Sequence, residues 1–583
     1  MANLARIWKL VPGRHTYTHP THSMGIASPQ PNMVAEEDTH RLPPVFWMLL
    51  ILTGIGTGLG GAALMGILRA VQHSFWMYKT GDFLTAVEHV AGRHRVLVLA
   101  IGGLVAGAGL LIRKYEIGGS GGAVAEAIWF KEGQFPFVRT TFSAVLSIVI
   151  VGLGASLGRE GAPKQVGAAI ASKLADWFHL SHPQRRLLAA CGAGAGMAAV
   201  YNVPLGGALF AMEVLLGTLA LPMVLPAVIA SLIAVGVSWI YLPMHATYAV
   251  SSFRIHISEI VWALIFGPVA GLASVVYIRA IVWADRAKPK GWRMLFGPIV
   301  VFTVLGLVAI HYPQLLGNSK DTAQLAFQNL LDWRLLFALM VLKLAATAGC
   351  LRSGAPGGLF TPTVTFGALL GGFCGHLWSH FPWTTHSGSY AIIGAGAVLA
   401  AATQGPVSAI VLLVELTYRI NGVMVPLMLA VAGATMTAKW LEPRSIYTAR
   451  VRLGKSKAQK NVPSGSTCIE GVPVRDCSVV SAAEHYSAVL KALLKGPSPF
   501  VYVVDDKGEY AGVISTEQAV GSSIEGPLDT TTASDLAQYV APLTVDTSLT
   551  DAMAILARSH RTELPVIEKE SHRLEGVVTK DVQ

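Results

Sequence analysis

Charge is what this chain has least of. Only 13% of its 583 residues are Asp, Glu, Lys or Arg, about half the share usual in soluble globular proteins, which excludes a chain whose whole surface faces water. Cysteine is also scarce: Cys191, Cys350, Cys374, Cys468 and Cys477 lie apart with no CxxC spacing, which excludes a disulfide framework and a zinc site and leaves small buried residues. The first 43 residues have neither the apolar core nor the small-residue cleavage site of a secretory signal, so a cytoplasmic tail is expected there. Histidines are concentrated in that tail, in apparent loops and in the C-terminal part. That leaves no base placed beside a membrane serine, as a hydrolase would need.

What is abundant is apolar sequence, 52% of residues, with a mean hydropathy of +0.52. Apolar segments run over Phe46–Leu68, Val96–Ile112, Phe142–Leu157, Leu221–Tyr241, Ile260–Val282, Met294–Ile310, Leu335–Cys350 and Val423–Leu441. Each approaches the roughly 20 residues a helix needs to cross hydrocarbon. The excess of 44 basic over 34 acidic residues is explained by position rather than by nucleic acid. Arg450, Arg452, Lys455, Lys457 and Lys460 follow the last apolar segment with no acid among them. Such a cluster places that end in the cytoplasm and offers contact with anionic lipid. Both termini are therefore expected on the cytoplasmic side of a cell inner (plasma) membrane.

Composition changes near Gly454, and two repeats flank that change. In the membrane part, Gly192-Ala193-Gly194-Ala195 is followed by Pro204 and Glu213, and Gly394-Ala395-Gly396-Ala397 by Pro406 and Glu415, at a constant offset of 202 residues. Internal duplication of this kind is common in transporters, whose sites lie between the repeats on broken helices. In the tail, a helical stretch over Ala482–Leu494 and strands over Phe500–Val504 and Tyr510–Ile514 are echoed by a helix over Leu549–Ser559 and strands over Glu563–Ile567 and Leu574–Val578.

Three glycine-rich breaks interrupt the apolar pattern, at Gly118–Gly122, at Gly158-Arg159-Glu160-Gly161 and at Gly357–Pro362. Each precedes an apolar run: Ala123–Phe130, Gln165–Leu174 and Val364–Trp378. Irregular backbone at membrane depth is tolerated where it is buried or lines a cavity. Helix starts aimed at one point present free amides to an anion. A single break of this kind reads more simply as close helix contact. Three together, with Ser120 and the Arg159-Glu160 pair among them, point to an anion path, because ionisable groups at such depth are costly.

Gly119-Ser120-Gly121, Gly158-Arg159-Glu160-Gly161 and Gly358-Leu359-Phe360-Thr361-Pro362 resemble, in order and spacing, the three signature motifs of the CLC chloride channels and transporters. Gly512-Val513-Ile514-Ser515 and Gly576-Val577-Val578-Thr579 resemble the strand endings of a cystathionine-β-synthase (CBS) domain pair. The resemblance implies an all-α polytopic membrane domain with an inverted repeat and broken helices, followed by a small α/β tandem. The expected divisions are a tail over 1–43, a transmembrane domain over 44–450, a basic linker over 451–471 and a CBS pair over 472–583 with a truncated second unit. It also implies a homodimer with one pore per subunit. Ser120, the amides of Leu359 and Phe360, and the Tyr447 hydroxyl would hold chloride, with Glu160 and Tyr447 as gates.

Arg159 is expected to pair with a buried acid or with carbonyls, and Glu126, Glu213 and Glu415 to serve helix packing. Val214 stands where the family's proton-coupled exchangers carry an inner glutamate. Passive, gated chloride conduction is therefore expected ahead of chloride/proton exchange. Gln518 and Val582 stand where nucleotide-binding CBS units usually carry Asp, so no cofactor is expected and an adenine nucleotide at the tail is left as an open alternative. A cation transporter would need converging acids to supply hard oxygen ligands, and none converge in the sequence. No metal, nucleic acid or catalytic residue is expected.

Overall fold

The computed structural model describes residues 42–115, 124–250, 256–381, 384, 388–418, 422–450, 477–495, 498–516, 518–519, 531–547, 552, 555, 563–569 and 571–579. Ser120, the N-terminal tail, the basic linker and most of the helix expected over Leu549–Ser559 lie outside them. The chain divides into two compact units, residues 1–451 and 452–583.

The first unit is helical: α1 Pro44–Trp76, α2 Phe83–His89, α3 Gly92–Tyr115, α4 Val124–Phe130, α5 Phe137–Gly152, α6 Gly161–Trp177, α7 His182–Tyr201, α8 Pro204–Leu209, α9 Leu221–Ser238, α10 Ile257–Arg286, α11 Arg293–Val308, α12 Lys320–Phe327, α13 Trp333–Arg352, α14 Phe360–Trp378, α15 Ser389–Thr403, α16 Pro406–Thr417 and α17 Met424–Leu441. Among the described residues α1, α3, α9, α10, α13 and α17 are long and apolar enough to cross a membrane. Their outer faces carry exposed large apolar side chains such as Leu104, Ile265, Val341 and Met436, as a lipid-facing surface requires.

The inner layer follows a different rule. α7 and α15 are built largely of Ala and Gly and are buried almost throughout. α6 packs on α7, and α14 packs on α15. The crossing points are glycine on both sides: Gly167 faces Gly192 in the first pair, and Gly367 faces Gly394 in the second. A side-chain carbon on any of the four would press into a facing backbone carbonyl, so the contact is set by the missing Cβ. Gly167→Val is expected to lose the monodisperse peak of the solubilised protein or to lower its melting temperature sharply, since overpacking costs about 1–3 kcal/mol even where neighbours yield. An unchanged melting profile would show the crossing to be looser than this.

The 202-residue offset of the sequence is also a structural offset. α7 ends in a left-handed Asn202 (φ 59°) and α15 in a left-handed Gln404 (φ 56°). Each is followed by a proline-started helix, α8 and α16, which pack on each other. α8 continues as a π-helical turn over Phe210–Leu216, a form that often marks functional sites.

The second unit contains two three-stranded sheets with the same strand pattern. In the first, β1 (Val479–Ser481) is followed by α18 (Tyr486–Lys495), β2 (Phe500–Val504) and β3 (Tyr510–Ser515). β1 pairs parallel to β2, and β2 antiparallel to β3. After α19 (Ala533–Leu536) come β4 (Leu543–Thr544), β5 (Glu563–Ile567) and β6 (Leu574–Thr579), paired in the same senses. Even the irregularity repeats: the register shifts after Val503 opposite Gly512, and after Val566 opposite Gly576. The sheets share a small core of Tyr502, Val513 and Val577. Burial and the adjacent Glu563 carboxylate, which accepts the Tyr502 hydroxyl at 3.0 Å, push that phenol well above its usual range.

Candidate functional site

Two of the three glycine breaks meet in the core of the helical unit. Gly158 and Gly358 form an isolated antiparallel bridge, each amide donating to the other's carbonyl at 2.8 Å. The chain therefore needs no sheet to satisfy these backbone groups at membrane depth. From this bridge α6 and α14 depart, so two helix starts are fixed beside one another.

Glu160 lies in the mouth between them, fully buried. Its Oε1 accepts the Phe360 amide at 2.6 Å. Its Oε2 accepts the Thr361 hydroxyl at 3.1 Å and the Tyr201 hydroxyl at 3.3 Å. Tyr201 and Thr361 are also within 2.6 Å of each other. The Phe360 amide was expected to hold chloride, and here it holds a carboxylate instead. A helix-start amide and two hydroxyls make a site for an anion of either kind. The Leu359 amide, one residue earlier, makes no hydrogen bond among the described residues, and Leu359 itself is buried.

The glycines explain why the carboxylate fits. A Cβ on Gly158 or on Gly358 would land on the Glu160 carboxylate oxygens. The seat is thus formed by the bare backbone of both breaks. Among the described residues Arg159 has no ion pair with an acid: its guanidinium stacks over the Tyr201 ring, 5.0 Å from the centroid. It steadies the tyrosine that donates to Glu160.

Tyr447 lies on a short turn after α17. That turn is tied to α15 by the Ile446 amide donating to Ala402 at 2.8 Å. The Tyr447 ring meets the Phe210 ring edge-on, with centroids 5.9 Å apart. Lys164, one turn along α6 from Glu160, extends its ammonium over both rings, 4.7 Å from the Phe210 centroid and 5.5 Å from that of Tyr447. Among the described residues, then, Glu160 and Phe360 come together directly, while Tyr447 joins through Lys164 and Phe210.

Val214 is buried in the π-helical turn and packs toward Gly405. Its neighbour Glu213 reaches across to α16, where it accepts the amides of Val407 at 3.1 Å and Ser408 at 2.7 Å. Glu415 does the same for α8, accepting Leu205 at 3.1 Å and Gly206 at 2.6 Å. The two glutamates of the repeat therefore cap each other's helices, at the same 202-residue offset. Glu126 ion-pairs with Lys131 at 3.2 Å, on a partly exposed surface.

Tyr201, Thr361 and Lys164 were missed as site residues. Thr361 stands inside a quoted motif. Lys164 could have been found as an ionisable residue inside an apolar helix, four residues from Glu160. Tyr201 carries no local signal, since it is brought in by the end of α7 from 41 residues away.

A helical unit with paired helix starts and an interior carboxylate matches a family model described as voltage gated chloride channel, over residues 102–439. The chain belongs to the CLC family. A CBS domain model matches residues 533–581. A voltage-gated ClC-type chloride channel, ClcB, of Escherichia coli strain K12 is 30% identical over 423 residues, covering 69% of this chain and 98% of that protein. A putative chloride channel protein of Ralstonia nicotianae is 30% identical over 432 residues, with 71% and 98% covered. Among solved structures, a slow cyanobacterial Cl−/H+ antiporter superposes with a TM-score of 0.62 at 23% identity, covering 70% of this chain and 97% of that one. A eukaryotic CLC transporter does so with a TM-score of 0.57 at 17% identity, covering 93% and 99%. The CLC family match lies within the helical unit, and the CBS match lies in the second.

Proposed function

We propose that this chain conducts chloride passively through a path that Glu160 opens and closes. Chloride transport is the activity of the family to which the chain belongs. The observation that carries the gating role is the seat of the Glu160 carboxylate, bound by the Phe360 amide at a helix start. A carboxylate there is a tethered competitor for the anion the site would otherwise hold. Acid neutralises it and chloride displaces it, so both open the path.

Passive conduction is favoured by what lies inward of the gate. Val214 cannot carry a proton, and the neighbouring Glu213 is committed to the amides of Val407 and Ser408. Coupled exchange is the second reading, supported by the likeness in fold to proteins described as a Cl−/H+ antiporter and a fluoride/proton antiporter. Vesicles separate the two: with an outward chloride gradient and otherwise proton-tight lipid, no uphill proton movement is expected. Sustained uphill proton flux that follows the chloride gradient would establish exchange.

The same reading includes a homodimer with one path per subunit. α8 and α16 expose Leu205 and Val407 beside helix starts capped by carboxylates. Polar helix termini of this kind do not face hydrocarbon, and a second copy of this surface would cover them. Ser120 completes the chloride donors of the proposal, and Tyr447 forms the inner constriction. A CBS pair in the second unit is proposed as a regulatory module. The chain is placed in the inner (plasma) membrane with its termini in the cytoplasm.

A further inference from the structure

We propose that Lys164 is an anion-binding residue of the path: a fixed positive charge between Glu160 and Tyr447 that holds the permeating anion and sets its affinity. The inference rests on the anion-path reading above and adds a residue to it.

Lys164 is 6% exposed, so its charge is almost completely withdrawn from water. Among the described residues its ammonium has no hydrogen-bond acceptor and no ion-pair partner. Its contacts are the faces of two aromatic rings, Phe210 and Tyr447. The other buried lysine among the described residues of the helical unit shows the contrast, because Lys343 donates to the Ser156 hydroxyl at 2.6 Å and to the Leu315 carbonyl at 3.4 Å. Ring faces offset part of the desolvation of a cation. They leave its three N–H donors without acceptors among the described residues, and a buried charge so placed is retained at a cost unless something anionic joins it.

Position says what that anion is. Lys164 lies one turn after Glu160, with its amide 3.4 Å from the Glu160 carbonyl oxygen. Its other end rests on Tyr447, the residue proposed as the inner constriction. An ammonium bounded by the gate at one end and by Tyr447 at the other lies where a small anion passes. Its task would be to receive the anion once Glu160 releases the outer seat. Helix-start amides alone give weak binding that suits rapid passage, so a full charge added beside them would raise occupancy at low chloride.

The test uses the full-length protein. Chloride binding is measured by calorimetry in detergent, and chloride flux in reconstituted vesicles, for the native protein, Lys164→Met and Lys164→Arg. Lys164→Met is expected to weaken chloride binding by about tenfold or more, equivalent to roughly 1.4 kcal/mol, and to raise half-saturating chloride for flux in parallel. Lys164→Arg is expected to restore most of the affinity. The same comparison is then made in a Glu160→Ala background. A loss that persists there supports direct anion binding, and a loss that vanishes would show Lys164 to be only the partner of Glu160 and would overturn the inference. Binding of Lys164→Met within about twofold of native, in protein that remains monodisperse, would also overturn it. Native vesicles without chloride flux would instead overturn the chloride reading itself, so the two failures are distinguishable.

Discussion

Glu160→Ala leaves chloride flux running and removes its response to external pH. In the native protein the carboxylate accepts from the Phe360 amide, Thr361 and Tyr201. Hydrogen bonds to a charged acceptor contribute about 1.5–3 kcal/mol each, and all three weaken together when a proton neutralises the group. The sign follows: flux rises as pH falls, because the protonated side chain no longer competes for its seat. A native acid-to-neutral flux ratio of about tenfold or more corresponds to only roughly 1.4 kcal/mol of that difference. In Glu160→Ala the ratio is expected to fall close to one, with high flux at both pH values. Chloride efflux from vesicles at two external pH values measures it, and an unchanged ratio in the variant would remove Glu160 from the gate.

Gly158→Ala is expected to act almost as strongly while leaving Glu160 itself unsubstituted. The three atoms nearest the added carbon all belong to the Glu160 carboxylate. That is the far end of a flexible side chain rather than backbone, so the backbone bridge to Gly358 has no reason to move. The carboxylate is forced out of its seat, and neutral-pH flux should rise toward the level of Glu160→Ala. The two changes should not add, because both empty one seat. In the double variant, Gly158→Ala is expected to contribute nothing further to flux. If it lowers flux in the Glu160→Ala background instead, glycine at this position serves the path rather than the gate.

The long outer helices were legible in the sequence because lipid demands apolar side chains on their exposed faces. α1, α10 and α13 enclose the apolar runs Phe46–Leu68, Ile260–Val282 and Leu335–Cys350 with only their ends extended. α7 and α15 were not read as helices. Their stretches of Ala and Gly are selected for close approach, and small residues carry little hydropathy. Only their repetition was visible, and the structure gives it physical content in the crossed caps of Glu213 and Glu415. In the tail the strands β2 and β5 stand where alternation placed them. β1 and β4, three and two residues long, are too short to register.

At the site, the glycine breaks located Glu160 and Phe360 because unusual backbone needs unusual residues. Their partners are ordinary residues delivered by tertiary structure. Tyr201 ends an unrecognised helix, and Lys164 was hidden by the apolar run that follows it. Arg159, expected beside a buried acid or carbonyls, stacks on Tyr201 for a related reason: an aromatic face can receive a guanidinium, and no pattern in the sequence announces which face will be near.

The central claim is that the Glu160 carboxylate occupies an anion's seat at the start of α14. Crystals of the native protein and of Glu160→Ala, both grown in bromide at alkaline pH, test it most directly by anomalous scattering. The account predicts a bromide within hydrogen-bonding distance of the Phe360 amide in Glu160→Ala, at the position the carboxylate holds in the native protein, and none there in the native crystals. A variant with no bromide at that amide, or a native protein holding bromide and carboxylate there together, would contradict it.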